Sequence, residues 1–187
     1  GDPDRLGGGV GGQVVGLAHT SSWTFRPFVG DSAGSLRELP IDDAYPSNEW
    51  YAVAINDGGM IGGHVIAVTD DSLPYYWTSE GAQPIALPMP AAFPYGEIYG
   101  MNAEGEMVGI MWNDAQEEHA FVFDIVNGVR DLNDLVDPAL GWTFEFARDV
   151  NAAGQIVGSG TVGGLTRGYL LTPSRLMGAV DGTVRRS

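Results

Sequence analysis

Three histidines, His19, His64 and His119, are the side chains of this chain that suit base catalysis or imidazole ligation of a metal. They are 45 and 55 residues apart, whereas zinc ligands occur in closely spaced pairs, so we expect ordinary strand positions for them. The chain has neither cysteine nor lysine, which excludes thiolate zinc sites, thiol nucleophiles, Schiff-base lysines and P-loops. No serine stands in a Gly-x-Ser-x-Gly elbow. We therefore predict no catalytic residue and no enzymatic activity.

Acidic pairs in predicted loops are the second group of residues with chemical potential. Carboxylates are hard oxygen ligands that suit calcium, which takes about six to eight oxygens. The sequence contains no EF-hand string, so the pairs predict either a weak calcium site or a solvated acidic rim. No other cofactor is expected. The candidate ligands are Asp42, Asp43, Asp70 and Asp71.

The excess of acid also restricts the partners of the chain. Nine arginines oppose 24 acidic side chains, and the formal net charge is −15. Nucleic-acid phosphates and anionic membrane surfaces repel such a chain. No apolar run approaches the ~20 residues that a transmembrane helix requires. We predict neither nucleic-acid binding nor a membrane span.

A short string recurs along the chain and positions its most regular polar residues. It consists of an apolar residue, Asn, two free positions, Gly, a free position, an apolar residue, a free position and Gly. Full copies stand at 55–63, 101–109 and 150–158, and residues 9–16 hold a degraded copy without the Asn. Their first glycines, with Gly12 of the degraded copy, are 47, 46 and 49 residues apart. The motif residues of the full copies are Asn56, Gly59, Asn102, Gly105, Asn151 and Gly154.

This Asn-x-x-Gly spacing predicts tight turns, because Asn and Gly enter left-handed conformations at low cost. Each amide is then expected to cap its own turn. The alternative is a ring of amides that binds a ligand at one end of the molecule.

A second landmark has the same period. An aromatic strand follows each string, and its aligned aromatic residues are 48, 45 and 48 residues apart. A glycine turn and one more short strand follow, the last of them at residues 181–186. The aligned aromatic residues are Phe28, Tyr76, Phe121 and Tyr169.

Evenly spaced short strands with a periodic Gly/aromatic motif are typical of propeller blades. We predict an all-β, propeller-like fold with four repeats of about 47 residues, each a four-stranded antiparallel meander. Residues 1–187 are expected to form a single domain, and only residues 131–140 suit a helical turn. The repeat units run roughly from 1–40, 48–88, 95–135 and 142–187.

The motifs resemble the HAF-repeat family of bacterial extracellular proteins. The string Ala-x-x-Val-Asn-x-x-Gly-x-Ile-Val-Gly occupies residues 147–158, and the literal His-Ala-Phe occupies 119–121, followed by Gly-x-x-Asp-Leu at 128–132. The resemblance covers all four units and fades toward the first. It implies a secreted, extracellular protein from which a signal peptide has been removed, a propeller-like fold and no assigned active site.

Three function classes are considered. The first is a non-catalytic structural scaffold that self-associates by strand addition into a homo-oligomer or filament, since residues 2–8 supply no convincing first strand and an open edge invites pairing. The second is a monomeric binding module for carbohydrate or a divalent cation, with exposed tryptophans stacking on a sugar ring. The third is a hydrolase. The tryptophans are Trp23, Trp50, Trp77, Trp112 and Trp142.

Overall fold

The computed structural model describes residues 7–8, 12–19, 24–67 and 71–173, with side chains from residue 12 onward. Within these ranges the chain is all-β, as predicted, and its strands form four antiparallel sheets. Each sheet is a meander of consecutive strands, because short turns return the chain beside the strand it has just left. No helix within these ranges is long and apolar enough to cross a membrane.

The sheets are numbered in chain order. Sheet 1 contains β1 (Gly7–Gly8), β2 (Val14–His19), β3 (Phe25–Gly30) and β4 (Leu36–Glu38). Sheet 2 contains β5 (Glu49–Ile55), β6 (Ile61–Ile66), β7 (Ser72–Trp77) and β8 (Ile85–Ala86). Sheet 3 contains β9 (Tyr95–Met101), β10 (Met107–Trp112), β11 (Glu118–Asp124) and β12 (Gly128–Asp131). Sheet 4 contains β13 (Trp142–Val150), β14 (Ile156–Val162) and β15 (Leu165–Leu171).

Sheet 4 has three strands in the described part of the chain, whereas each of the other sheets has four. The fourth strand that we predicted for it, at residues 181–186, lies outside the described residues. At the other end of the chain, the first strand of sheet 1 comprises two described residues. The first and last sheets therefore differ from the two between them.

The predicted helical turn between residues 131 and 140 is present. Helix α1 (Leu132–Leu135) begins at Asp131, whose carboxylate accepts a hydrogen bond of 2.8 Å from the Asn133 amide and so caps a free N–H group. A 3₁₀ turn (Pro138–Leu140) follows, capped in the same way by Asp137. These caps explain why this segment forms helical turns between two strands.

The chain divides into two compact units, Gly1–Leu87 with Tyr95–Ile98 and Pro88–Pro94 with Tyr99–Ser187. Each unit contains an apolar core that joins two successive sheets. The core between sheets 1 and 2 consists of Val15, Val29, Leu39, Trp50, Ala52, Ile55, Ile61, Val65, Tyr75 and Trp77. The core between sheets 3 and 4 includes Val108, Ala120, Val122, Leu132, Phe144, Ala147, Val150, Ile156, Tyr169 and Leu171.

Candidate functional site

The side-chain oxygens of the three motif asparagines accept hydrogen bonds from their own turns. Asn102 Oδ1 accepts from the amides of Glu104 and Glu106 at 3.1 and 2.9 Å. Asn151 Oδ1 likewise accepts from the amides of Ala153 and Gln155, both at 3.0 Å. Asn56 Oδ1 accepts from the Met60 amide at 2.9 Å. The turn glycines have positive φ, which L side chains adopt only with strain. They are Gly59 (78°), Gly105 (85°) and Gly154 (71°), and Gly12 of the degraded copy has 74°.

Asn102 has a further role that connects two sheets. Its amide nitrogen donates to the carboxylate of Glu106 at 2.6 Å and to the backbone carbonyl of Asn151 at 3.2 Å. The residue is 5 % exposed, so all of these bonds are shielded from water. The motif turn of sheet 3 is thereby tied to the motif turn of sheet 4, and the amide is committed to protein partners.

The strand register identifies the repeat aromatic of sheet 2. Phe28, Phe121 and Tyr169 each pair with the last glycine of their string, as in Gly158 opposite Tyr169. In sheet 2 the last glycine of the string, Gly63, pairs with Tyr75. Tyr76, which the sequence alignment selected, pairs with Gly62 and faces the other side of the sheet. Tyr75 is therefore the structural counterpart of the other three aromatic residues.

The last glycine of the string is required by a close approach of the first strand. In sheets 2 and 4 a β-bulge in that strand directs a backbone carbonyl at the glycine. A Cβ at Gly63 would collide with the carbonyl oxygen of Tyr51, and one at Gly158 with that of Phe146. The second glycine of the motif is therefore required by this close contact, whereas the first is required by the positive φ of the turn.

His119, the histidine of the His-Ala-Phe tripeptide, pairs with Asp131. The Nδ1 atom of His119 lies 2.5 Å from a carboxylate oxygen of Asp131, and the ring packs on Phe93 with centroids 4.3 Å apart. The second oxygen of Asp131 caps helix α1, and Asn133 of that helix bonds both backbone groups of Phe144 on β13. The pair is thus the start of a hydrogen-bonded path from sheet 3 to sheet 4.

His64 is one of the buried polar residues of the first unit. It is 7 % exposed, its ring stacks on Tyr51 at 4.9 Å, and its Nδ1 atom has no hydrogen-bond partner. Burial lowers the pKa of His64, and the negative charge of Glu97 opposes that shift in part. Glu97 also accepts a hydrogen bond of 3.0 Å from Ser72. His64 is therefore held neutral at pH 7.

Tyr51, which stacks on His64, connects the polar group of His64, Ser72 and Glu97 to a second carboxylate, that of Glu49. Its hydroxyl donates to Glu49 at 3.0 Å. Burial raises the pKa of the Tyr51 hydroxyl, and the neighbouring charges of Glu49 and Glu97 raise it further. The side chains of this group do not form a cluster of metal ligands: among the described residues no three His, Asp or Glu side chains could hold one ion.

The candidate calcium ligands have other roles or lie elsewhere. Asp42 caps its own turn by accepting from the Ala44 amide at 2.9 Å, and its second oxygen accepts from the Tyr75 hydroxyl at 3.2 Å. Asp43 is exposed beside it. Asp71 contributes its carbonyl to a turn, by accepting from the Ala67 amide at 2.7 Å, and Asp70 lies outside the described residues. Asp42 therefore stabilises one turn through its side chain, and Asp71 stabilises a different turn through its backbone carbonyl.

The tryptophans are mainly core residues. Trp50 and Trp77 are fully buried, and their ring nitrogens donate to backbone carbonyls of Tyr45 and Pro40. Trp142 stacks on Phe144 at 5.6 Å and packs against the core of the second unit. Trp112 is half-buried, and Trp23 lies outside the described residues. Trp50 and Trp77 offer no face to a sugar ring.

A groove of about 270 Å³ lies on sheet 1. Both of its arginines are in ion pairs, Arg26 with Glu38 at 3.5 Å and Arg37 with Glu80 at 2.7 Å. The Arg26 guanidinium also donates to the backbone carbonyl of Asn48 at 2.9 Å. The groove is therefore close to neutral on a chain of net charge −15. It is lined by Ala18, His19, Arg26, Pro27, Phe28, Leu36, Arg37 and Glu38.

The described residues thus define a class, an all-β protein with four antiparallel sheets that pack in pairs, and the Asn-x-x-Gly turn recurs in sheets 2, 3 and 4. No protein-family model matches the sequence, and no curated protein matches it significantly. Function is therefore inferred from the chain's own residues.

Proposed function

We propose that the protein is a secreted, non-catalytic structural protein with a propeller-like succession of sheets that self-associates by strand addition. The resemblance to HAF repeats supports the propeller-like fold and the extracellular location. The observation that carries the self-association is the outer edge of β15 in sheet 4, which pairs with no strand of the described residues and which we call the open edge. There β15, seven residues long, is the last strand in the described part of the chain.

The last strands of the other sheets are shorter. Strands β4, β8 and β12 comprise three, two and four residues, and short edges are a common protection against pairing with another chain. Strand β15 lacks this protection, and its residues from Leu165 to Gly168 are exposed. Of the last strands of the four sheets in the described ranges, it presents the longest ladder of backbone groups to a neighbouring chain.

The turn before β15 determines which backbone groups point outward. Val162 and Leu165 flank the two-residue turn Gly163–Gly164 and pair across it. Residues that flank such a turn exchange hydrogen bonds with each other, and the direction of the backbone groups then alternates along the strand. Thr166, Gly168 and Leu170 accordingly direct their N–H and C=O groups to the open edge. A strand from a second copy would pair with these three residues.

The test of this proposal compares two variants at one position. Thr166→Pro removes an outward N–H group while the β14–β15 ladder retains its bonds, and Thr166→Val retains that N–H group. We expect the wild type and Thr166→Val to associate with rising concentration and Thr166→Pro to associate about tenfold less tightly or worse. Light scattering after size-exclusion chromatography measures the mass, and electron micrographs show whether the product is a filament.

Three results would contradict the proposal or its pairing edge. A wild type that stays strictly monomeric at high concentration would exclude self-association, and the binding-module reading would then take its place. Hydrolysis of any member of a panel of glycosides, esters and peptides would exclude a purely structural role. Equal association of the two Thr166 variants would show that β15 is not the pairing edge.

A further inference from the structure

The two cores bury equivalent residues at the interface between successive sheets. Val15 and Val29 form a cross-strand pair in sheet 1, and both are fully buried against sheet 2. Val108 and Val122 form the same pair in sheet 3, buried against sheet 4. The first valine of each pair lies three residues after the turn glycine, and the second directly follows the repeat aromatic. We call the face with this pair the following face of a sheet.

Sheet 4 carries the same pair on its own following face. Val157 stands three residues after Gly154, Leu170 follows Tyr169, and the two residues pair across β14 and β15. Here, however, Val157 is 43 % exposed and Leu170 is half-buried. The pair of aliphatic residues that is buried in sheets 1 and 3 is therefore partly exposed in sheet 4.

The opposite side of a sheet, with the repeat aromatic, packs on the sheet before it, and we call it the preceding face. Tyr75 of sheet 2 and Tyr169 of sheet 4 are 4 % exposed and belong to the two cores. Their counterpart in sheet 1 is Phe28, which is half-buried and lines the groove of about 270 Å³ beside Leu36, itself 66 % exposed. The preceding face of sheet 1 is thus partly exposed at Phe28 and Leu36.

We propose that the following face of sheet 4 packs on the preceding face of sheet 1 of a second copy. This inference rests on the proposed self-association and names its second contact. The two faces are the types that meet in both internal cores, so the contact would continue a packing that the chain already uses twice. Val157 and Leu170 would then cover the groove between Phe28 and Leu36.

The two faces are different, so the contact is heterologous. One copy supplies sheet 4, the other supplies sheet 1, and each copy keeps one face uncovered for a further copy. Such a contact adds copies in one direction and produces an open chain. It also differs from strand addition at β15, because it uses the face of the sheet and leaves its edge available.

Charge acts on this contact at two ranges. At the groove Arg26 pairs with Glu38 and Arg37 pairs with Glu80, so a docking apolar side chain meets no unpaired arginine there. At long range each copy carries a net charge of −15, and like charges repel until salt screens them. Association is therefore expected to tighten as sodium chloride rises from 20 mM to about 300 mM, over which the screening length shortens several-fold.

The experiment changes one face at a time. Val157→Asp alters the following face of sheet 4, and Leu36→Asp alters the preceding face of sheet 1. Val126→Asp is the matched control, because Val126 is 86 % exposed in a turn that belongs to neither face. We expect Val157→Asp and Leu36→Asp each to weaken association about thirtyfold or more, as at a hot spot, and Val126→Asp to leave it near the wild-type value.

Mixing the two face variants provides the decisive measurement. Val157→Asp retains a normal sheet 1 face, and Leu36→Asp retains a normal sheet 4 face, so an equimolar mixture can form one good contact. With Thr166→Pro added to both variants, so that the β15 edge does not pair, we expect a one-to-one dimer in the mixture and monomers in each variant alone, measured by light scattering. A mixture that remains monomeric, or variants that assemble like Val126→Asp, would overturn the inference.

The outcomes separate this inference from the proposal on which it rests. Association of the wild type that is lost in Thr166→Pro and kept in Val157→Asp would support the edge and reject the face. A wild type that is monomeric, with Val157→Asp destabilised against urea and Val126→Asp unchanged, would show that the face is covered within one chain. That result would reject the contact between copies.

Discussion

Sheets 3 and 4 have the same turn string and the same register between their second and third strands, yet they differ in the burial of one pair of aliphatic residues. In sheet 3 Val108 is fully buried and Val122 is 4 % exposed. In sheet 4 the equivalent Val157 is 43 % exposed and Leu170 is half-buried. The difference comes from the next sheet: β13 covers the pair in sheet 3, and no described strand covers the pair in sheet 4.

The largest expected effect tests this difference directly. Val108→Asp places a carboxylate in a closed apolar core without a partner, and we expect it to lower the free energy of unfolding by about 4 kcal/mol or to prevent folding. Val157→Asp at the equivalent position should cost the isolated chain less than about 1 kcal/mol, because water reaches it. Urea unfolding below the association concentration measures both. Equal losses would contradict the comparison.

The second prediction concerns the interior of sheet 4. Gly158→Ala would place a Cβ against the carbonyl of Phe146 and the ring of Tyr169, and we expect a loss of about 3 kcal/mol. Gly81→Ala is the control, since its Cβ would meet open space and its φ is not positive, so the change should stay within about 1 kcal/mol. A tolerated Gly158→Ala would show that sheet 4 is loosely packed on both faces.

A third prediction compares the motif asparagines of the two sheets. Asn102→Ala removes two turn bonds and the buried link to Asn151, and we expect a loss of about 2 kcal/mol. Asn151→Ala removes two turn bonds at an exposed position, with an expected loss of about 1 kcal/mol. Thermal unfolding of both variants in one buffer provides the difference. If Asn151→Ala costs as much as Asn102→Ala, the link between the turns has no energetic role.

The smallest expected effect concerns sheet 2, where the following face is polar. Gly62 occupies the place of Val108 there, and His64, two residues later, shares that face. Because burial lowers the pKa of His64 in the folded chain, the unfolded chain binds the proton more readily, and stability falls as pH drops below about 6.5. Glu97 reduces the effect, and the Tyr51 hydroxyl stays neutral in this range.

His64→Phe isolates this contribution, because it removes the titrating group and retains a ring against Tyr51. We expect the loss of stability between pH 7 and pH 5 to be smaller in the variant than in the wild type, measured by urea unfolding at each pH. Parallel curves for the two proteins would show that His64 does not titrate on unfolding.

Several features were predictable from the sequence because they depend on neighbouring residues. The Asn-x-x-Gly turns occur where predicted, since each amide bonds its own backbone and needs no distant partner. The helical turn after Asp131 follows from a cap of the same kind. The meander of each sheet follows from short turns, which place consecutive strands side by side.

Other features escaped sequence reasoning. The pair of His119 and Asp131 joins two motifs, His-Ala-Phe and Gly-x-x-Asp-Leu, and the available signal was that both occur in the same repeat unit. The sequence also contained a signal for choosing Tyr75 over Tyr76. Tyr75 lies 47 residues after Phe28 and 46 before Phe121, and the turn glycines of the same three units have the same spacings of 47 and 46 residues. The polar group around His64 had none, because its members come from separate strands.

The sequence by itself determined the repeat, the turns that delimit it and the antiparallel order of the strands. These depend on backbone conformations that Asn and Gly allow within a few residues. Only the tertiary structure decided which copies of the valine pair are buried. The residues at Val15, Val108 and Val157 are identical, and their strands are alike. What differs is the sheet that lies against them, and burial is a property of that neighbour as much as of the residue.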